Sequence, residues 1–211
     1  MVKVYMTKTG NYPDPKECPE HLDGVPQKRK EKILRYRTEE ARKQGLASSL
    51  LLQQVLLLHG KDMNYISYGE NGKPEIEGIY FNLSHSHEFA VCAVSDAPVG
   101  CDVEKIEKRR EKVATHFFTS KEITYMDSLL EKEKDDAFYR LWTMKESYMK
   151  MTGEGMKLSL KRIEFIFEEK VRVYRDGTRC DCCIKEYEIP DYKLTVCSME
   201  NDFCQEIIQI K

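Results

Sequence analysis

Two short segments, half a chain apart, constrain the architecture more than any other feature. Phe89–Val94 reads FAVCAV and Leu194–Met199 reads LTVCSM. Their Val-Cys pairs, Val91-Cys92 and Val196-Cys197, lie 105 residues apart in a chain of 211. Each follows helix-like sequence and sits among strand-like runs. The echo predicts an α+β fold, with two similar α/β halves in one chain. The halves fall at residues 1–105 and 106–211, with a cleft where they pack.

Local signals fill in this frame. A strand is expected at Val2–Met6, then a Pro-rich loop through Pro13, Pro15 and Pro19. Gln27–Tyr36 is basic and helical in pattern. Thr38 is placed to cap a second helix, with Glu39 and Glu40 in its first turn and Gly60 past its end. IYFNLSHS, EFAVCAVS and VGCDVEKI read as successive strands. Thr119 and Glu122 form a capping-box pattern. A further helix is expected from about Asp136 to Gly153. The last part alternates strand-like runs from RIEFIFEE to QEIIQI.

Composition removes several classes of function. There are 34 basic and 36 acidic residues, a net charge of −2, so overall charge gives no reason to expect a nucleic-acid binder. The opening MVKVYMTKTG lacks the pattern of a signal peptide. The most apolar run, LASSLLLQQVLLLHG, is too short and too polar to span a bilayer. The expectation is a cytoplasmic protein whose eight cysteines are reduced thiols. Cys180, Cys182 and Cys183 cluster, but no second pair with zinc-site spacing follows, so a strand carrying small thiols is the reading preferred over a zinc site.

The segment LWTMKESYMKMTGEG carries the sole tryptophan. At about 100° per residue, Phe138, Leu141, Trp142, Tyr148 and Met149 form one apolar arc. Lys145 falls inside that arc and Glu146 on its edge. Lys145 either snorkels to water or is a buried donor that needs an acceptor. Trp142 is expected to pack beneath the helix.

In GCDVE, Asp102 and Glu104 share one strand face while Cys101 and Val103 take the other. Two carboxylates about 5 Å apart repel by about 3 kcal/mol at an effective dielectric near 20. Either the strand is exposed, or one acid protonates, or a cation binds. Oxygen ligands of this kind suit Mg²⁺, and Glu146 is the candidate third carboxylate. Ser84 and His85, at the end of a strand, can both donate to phosphate oxygens. His85 and His87 are alternatively a metal pair, or simply hydrogen-bonded side chains. Lys28 and Lys32 share a helix face, and Lys73 sits in a tight turn. These lysines either hold a terminal phosphate or form solvated faces.

GKPEI…FNLSHS, GCDVEKI and FYRLWTMKESYMKMTGEGM, in this order, resemble the 4′-phosphopantetheinyl transferases, and most closely their surfactin-synthetase-activating class. The resemblance implies a pseudo-twofold fold and transfer of phosphopantetheine from coenzyme A to a serine of an apo acyl or peptidyl carrier protein. It implies Mg²⁺ held by Asp102, Glu104 and Glu146, with Glu146, Lys145 and Lys150 as catalytic residues. By the same likeness Ser84, His85, Lys73, Lys28 and Lys32 contact coenzyme A. The chain departs from the pattern at His87-Glu88 and at Glu31, where a lysine is expected. A monomer is expected, with neither membrane nor nucleic acid as partner. Two other readings fit the same residues: a Mg²⁺-dependent phosphohydrolase acting on coenzyme A or a nucleotide, and a non-catalytic coenzyme A binding module.

Overall fold

Two units of strand, long helix and hairpin frame the chain in a computed structural model that describes residues 1–210. The first holds β1 (Lys3–Lys8), α1 (Gln27–Leu34), α2 (Glu39–Leu58), a small ribbon of β2 (Ser67–Tyr68) and β3 (Pro74–Glu75), and the hairpin β4 (Tyr80–Ser86) and β5 (Phe89–Ser95). The second begins with β6 (Val99–Lys105), followed by α3 (Glu111–Phe117), α4 (Ser120–Asp127) and α5 (Glu131–Thr152). A ribbon of β7 (Ile163–Phe167), β8 (Val171–Arg175) and β9 (Thr178–Arg179) precedes its hairpin, β10 (Cys183–Ile189) and β11 (Tyr192–Ser198). A short β12 (Ile208–Gln209) closes the chain.

The two units build equivalent sheets. In one the order is β12-β1-β5-β4, in the other β10-β11-β6. Each sets the second hairpin strand between the unit's first strand and the first hairpin strand. The tight turns close at Ser86↔Phe89 and Ile189↔Tyr192. Aligning the hairpins therefore matches Phe89 to Tyr192, so the Val-Cys echo is out by two residues. A slip of two keeps every side chain on its own face, which is why the echo still marks the equivalent central strands.

The sheets do not divide at residue 105. β6 pairs antiparallel with β11 along its whole length, and β12 returns to pair parallel with β1. Both edges of β5 are taken by β1 and β4, so β6 finds its partner in the later sheet.

Alternation along the strands layers the core. Tyr5, Ala90, Cys92 and Val94 face α2. Val4, Met6, Val91 and Ala93 face the second sheet, meeting Cys101, Val103, Leu194 and Val196. α5 covers the far side of that sheet. Caps hold the helices as expected: Thr38 Oγ1 accepts from Ala41 N at 3.2 Å, and Thr119 with Glu122 completes a capping box. α5 starts at Glu131, five residues earlier than the pattern predicts. Its highly charged first turns hide the start, but Glu133 Oε2 accepts from Leu130 N and Arg109 pairs with Glu131 and Asp135. α3 has no counterpart in the sequence reading. No helix among the described residues is long and apolar enough to cross a membrane.

Candidate active site

The cluster forms where β4, β6 and α5 meet. Gly100, Asp102 and Glu104 alternate onto the α5 side of β6. A Cβ on Gly100 would lie 2.1 Å from Ser147 O and 2.3 Å from Met151 N. The bare glycine thus lets α5 lie directly on the strand, which lowers Glu146 and Lys150 onto the two acids. A cavity of about 310 Å³ results, lined by Leu83, Ser84, His85, Asp102, Glu104, Trp142, Glu146 and Lys150.

A side-chain ladder joins the halves here. The N–H groups of Cys101, Val103 and Lys105 donate to Asn82 Oδ1, Ser84 Oγ and Ser86 Oγ at 2.9, 3.2 and 3.2 Å. β6 would otherwise present these groups as an unpaired edge. The same hydroxyls donate to the acids: Ser84 to Asp102 Oδ1 and Ser86 to Glu104 Oε2, each at 2.9 Å. Ser84 has one proton, and it points at Asp102. Of the residues expected at a phosphate, Ser84 is therefore an orienting group for the carboxylate as the site stands.

Lys150 Nζ completes the cluster. It lies 2.6 Å from Asp102 Oδ1 and 3.2 Å from both Ser84 Oγ and the Cys101 carbonyl. Burial disfavours its charge, but Asp102, Cys101 and Glu146 together outweigh that and hold the ammonium above its usual range. Burial raises Asp102, and burial followed by repulsion from Asp102 raises Glu104. The Ser86 hydrogen bond and then the charge of Lys150 pull Glu104 back down. Trp142 lines the same cavity, and does not simply pack under the helix. Burial first, then Asp102, lifts Glu146 to about 7. His85 has an open edge, yet the cleft walls, Lys150, Arg29 and Lys32 push it down to about 4.

Lys145, Lys73, Lys28 and Lys32, also expected at the site, do not line this cavity. Lys145 is wholly buried, 2.8 Å from Glu122 Oε2, and also donates to the carbonyls of Leu160 and Ile163. It sits on the face of α5 turned away from the cavity. The reason is local: Glu122 is carried by the capping box of α4, which packs against that face. The ammonium of Lys73 is taken by three carbonyls, of Val99, Lys150 and Met151. Lys28 and Lys32 are exposed on α1 and enter no ion pair among the described residues. Arg29, beside them, went unsingled in the sequence. It is half-buried, donates to Ser49 Oγ at 2.6 Å, and bears on His85. His87 occupies the β4–β5 turn, 3.6 Å from Glu40 and 3.4 Å from Glu107, outside the cavity.

Three acids and a lysine thus meet around one cavity between β4, β6 and α5. Residues 98–197 match the family model of the 4′-phosphopantetheinyl transferase superfamily. The 4′-phosphopantetheinyl transferase Sfp of Bacillus subtilis (strain 168) is 34% identical over 203 residues, 88% of this chain and 86% of that protein. The 4′-phosphopantetheinyl transferase gsp of Aneurinibacillus migulanus is 30% identical over 194 residues, 80% of this chain and 82% of that protein. A holo-(acyl-carrier-protein) synthase from Bacillus anthracis str. Ames, solved in complex with CoA (3′,5′-ADP), aligns with a TM-score of 0.42 at 18% identity, over 48% of this chain and 94% of that one. The chain belongs to the 4′-phosphopantetheinyl transferase superfamily, in its Sfp-like class.

Proposed function

We propose that this enzyme moves 4′-phosphopantetheine from coenzyme A to a serine hydroxyl of an apo acyl or peptidyl carrier protein, releasing adenosine 3′,5′-bisphosphate. The observation that carries the proposal is Glu146, a carboxyl held at about 7, set against Asp102, Glu104 and Lys150 in one cavity. A group with that pKa is matched to accepting a proton at neutral pH.

The family implies a divalent cation, and the residues fit one. Asp102 Oδ2 is buried without a hydrogen-bond partner among the described residues, and three hard oxygen ligands face one cavity at the cost of mutual repulsion. The fit is one of donor chemistry: no group of three His, Cys, Asp or Glu side chains among the described residues is gathered tightly enough to hold an ion as it stands. Asp102, Glu104 and Glu146 would hold Mg²⁺, which when bound neutralises charge on the phosphate under attack.

The chain's own groups divide the remaining work. Glu146 takes the proton as the serine oxygen bonds to the phosphorus nearer pantetheine. The bond from that phosphorus to the bridging oxygen of the pyrophosphate breaks. Lys150 turns its ammonium from Asp102 to the departing phosphate. His85, neutral at pH 7, and the unpaired cations Lys28, Arg29 and Lys32 receive the remaining phosphate charge of coenzyme A. Lys145 and the ammonium of Lys73 have no part in contacting substrate in this scheme. A chain that carries both halves has less need of a partner subunit, so we take it to act as a monomer in the cytoplasm.

The test is the mass of an apo carrier protein after incubation with the enzyme, coenzyme A and Mg²⁺. Gain of one phosphopantetheine is expected. No gain across acyl and peptidyl carriers would overturn the proposal, and release of phosphopantetheine without a carrier would replace it with hydrolysis.

A further inference from the structure

The geometry assigns Lys73 and Asn71 as positioning residues that clamp the C-terminal end of α5, and so set where Lys150 stands. The last four carbonyls of a helix have no partner within it. In α5, Met149 O accepts from Gly153 N and Thr152 Oγ1. Lys150 O and Met151 O accept from Lys73 Nζ at 2.7 and 3.2 Å. Just beyond the helix, Asn71 Nδ2 donates to Gly153 O at 2.9 Å. A turn of the first half thus satisfies helix-end carbonyls of the second.

The same ammonium reaches Val99 O at 3.4 Å, next to Gly100, where α5 and β6 come closest. It has three protons, and each has a carbonyl. No carboxylate pairs with it among the described residues. A cation is favoured at a helix C-terminus, where the carbonyl ends of the dipoles gather. The turn that presents it is closed on itself: Gly69 N donates to Lys73 O, Gly72 N donates to Gly69 O, and Gly72 takes a φ of 77°. β2 and β3 brace its two arms.

Lys150 is therefore held at both ends. Its carbonyl is pinned by Lys73, and its ammonium by Asp102 and Ser84. Without the clamp the final turn frays and the ammonium loses its place over the acid. The inference rests on the proposed transfer reaction for its kinetic readout, and on the ligand-free protein for its structural one.

The experiment compares Lys73→Met, Lys73→Arg and Asn71→Ala with the unaltered chain, by carrier-loading kinetics and by amide hydrogen exchange without coenzyme A. Lys73→Met should lower kcat about tenfold with KM for coenzyme A nearly unchanged, the mark of a contact that acts on the transition state. Exchange at Lys150–Gly153 should quicken by about tenfold or more as the last turn opens. Lys73→Arg, which keeps the donors, should recover part of both, and Asn71→Ala should quicken exchange alone or with a smaller loss of kcat. A tenfold rise in KM with unchanged exchange would overturn the clamp and return Lys73 to the nucleotide. If the unaltered chain loads no carrier, the exchange measurement still decides the clamp, so the two failures stay distinct.

Discussion

Lys150 Nζ stands 2.6 Å from Asp102 Oδ1, while Asp102 Oδ2, on the same carboxylate, is buried with no partner. One oxygen of the acid is taken by the lysine of α5, and the other has no hydrogen-bond partner among the described residues. Glu146, on the same helix one turn earlier, faces that acid and is raised by it. The predictions below follow from this arrangement and from the contacts that keep it in place.

Glu146→Gln should fold normally and lose kcat by about 10²–10⁴-fold, the span of general-base removal. It should also change the pH dependence of stability. The folded-state pKa of about 7 lies above the unfolded 4.5, so the wild-type advantage from the protonated acid is present below 4.5 and is lost as pH rises through about 7. Denaturant unfolding of the metal-free proteins should therefore show the variant gaining on wild type toward alkaline pH.

Lys145→Ala should behave as a folding mutant. Removing one partner of the buried Lys145–Glu122 pair leaves a stranded carboxylate, at a cost of about 3–5 kcal/mol. Lys145→Met combined with Glu122→Gln should recover part of that, and the folded fraction should retain most of its turnover. A Lys145→Met protein of native stability with kcat abolished would instead place this lysine in the chemistry.

Gly100→Ala should lower both stability and activity. The new methyl meets backbone of Ser147 and Met151, which cannot move aside as a side-chain end can. Overpacking of this sort costs about 1–3 kcal/mol, and here the shift carries Glu146 and Lys150 off the acids. Thermal unfolding and carrier-loading rates read the two effects.

His85 should titrate differently with coenzyme A bound. The cleft walls and then three cations hold it at about 4 in the free protein. A bound phosphate beside it reverses the sign of the local potential and should move the midpoint up. NMR of the imidazole with and without adenosine 3′,5′-bisphosphate checks this; an unmoved midpoint would place the phosphates elsewhere.

Acid stability should depend on Asp14. This buried carboxylate accepts from Arg42 Nε at 2.8 Å, which with the hydrogen bonds around it lowers its pKa to about 2. Its folded pKa lies below the unfolded 3.8, so its contribution is complete above 3.8 and is lost as pH falls through about 2. Asp14→Asn should be less stable at neutral pH and should lose less on acidification.

Local chemistry was readable where one residue or one period decides the outcome. Thr38, Gly60, Thr119 with Glu122 and Gly153 mark helix ends because caps act over a few residues. Asp102 and Glu104 share a face because strand side chains alternate. The start of α5 was obscured since charged first turns resemble a loop, and α3 was too short to leave a period. Trp142's place beside Glu104 on the cavity wall, the saturated proton of Ser84 and the role of Gly100 were not readable, because each depends on a neighbour distant in the chain.

By itself the amino-acid order determined the family, the α+β class, most elements and the grouping of Asp102, Glu104, Glu146 and Lys150 around one cavity, since periodicity and caps act locally and the motifs keep their spacing. Only the tertiary structure decided that β6 joins the later sheet, that Lys145 turns to Glu122, and that Lys73 spends its protons on the end of α5. Those outcomes depend on which free edge, acid or carbonyl lies within about 3 Å once the halves are packed, and a hydrogen bond has no reach beyond that.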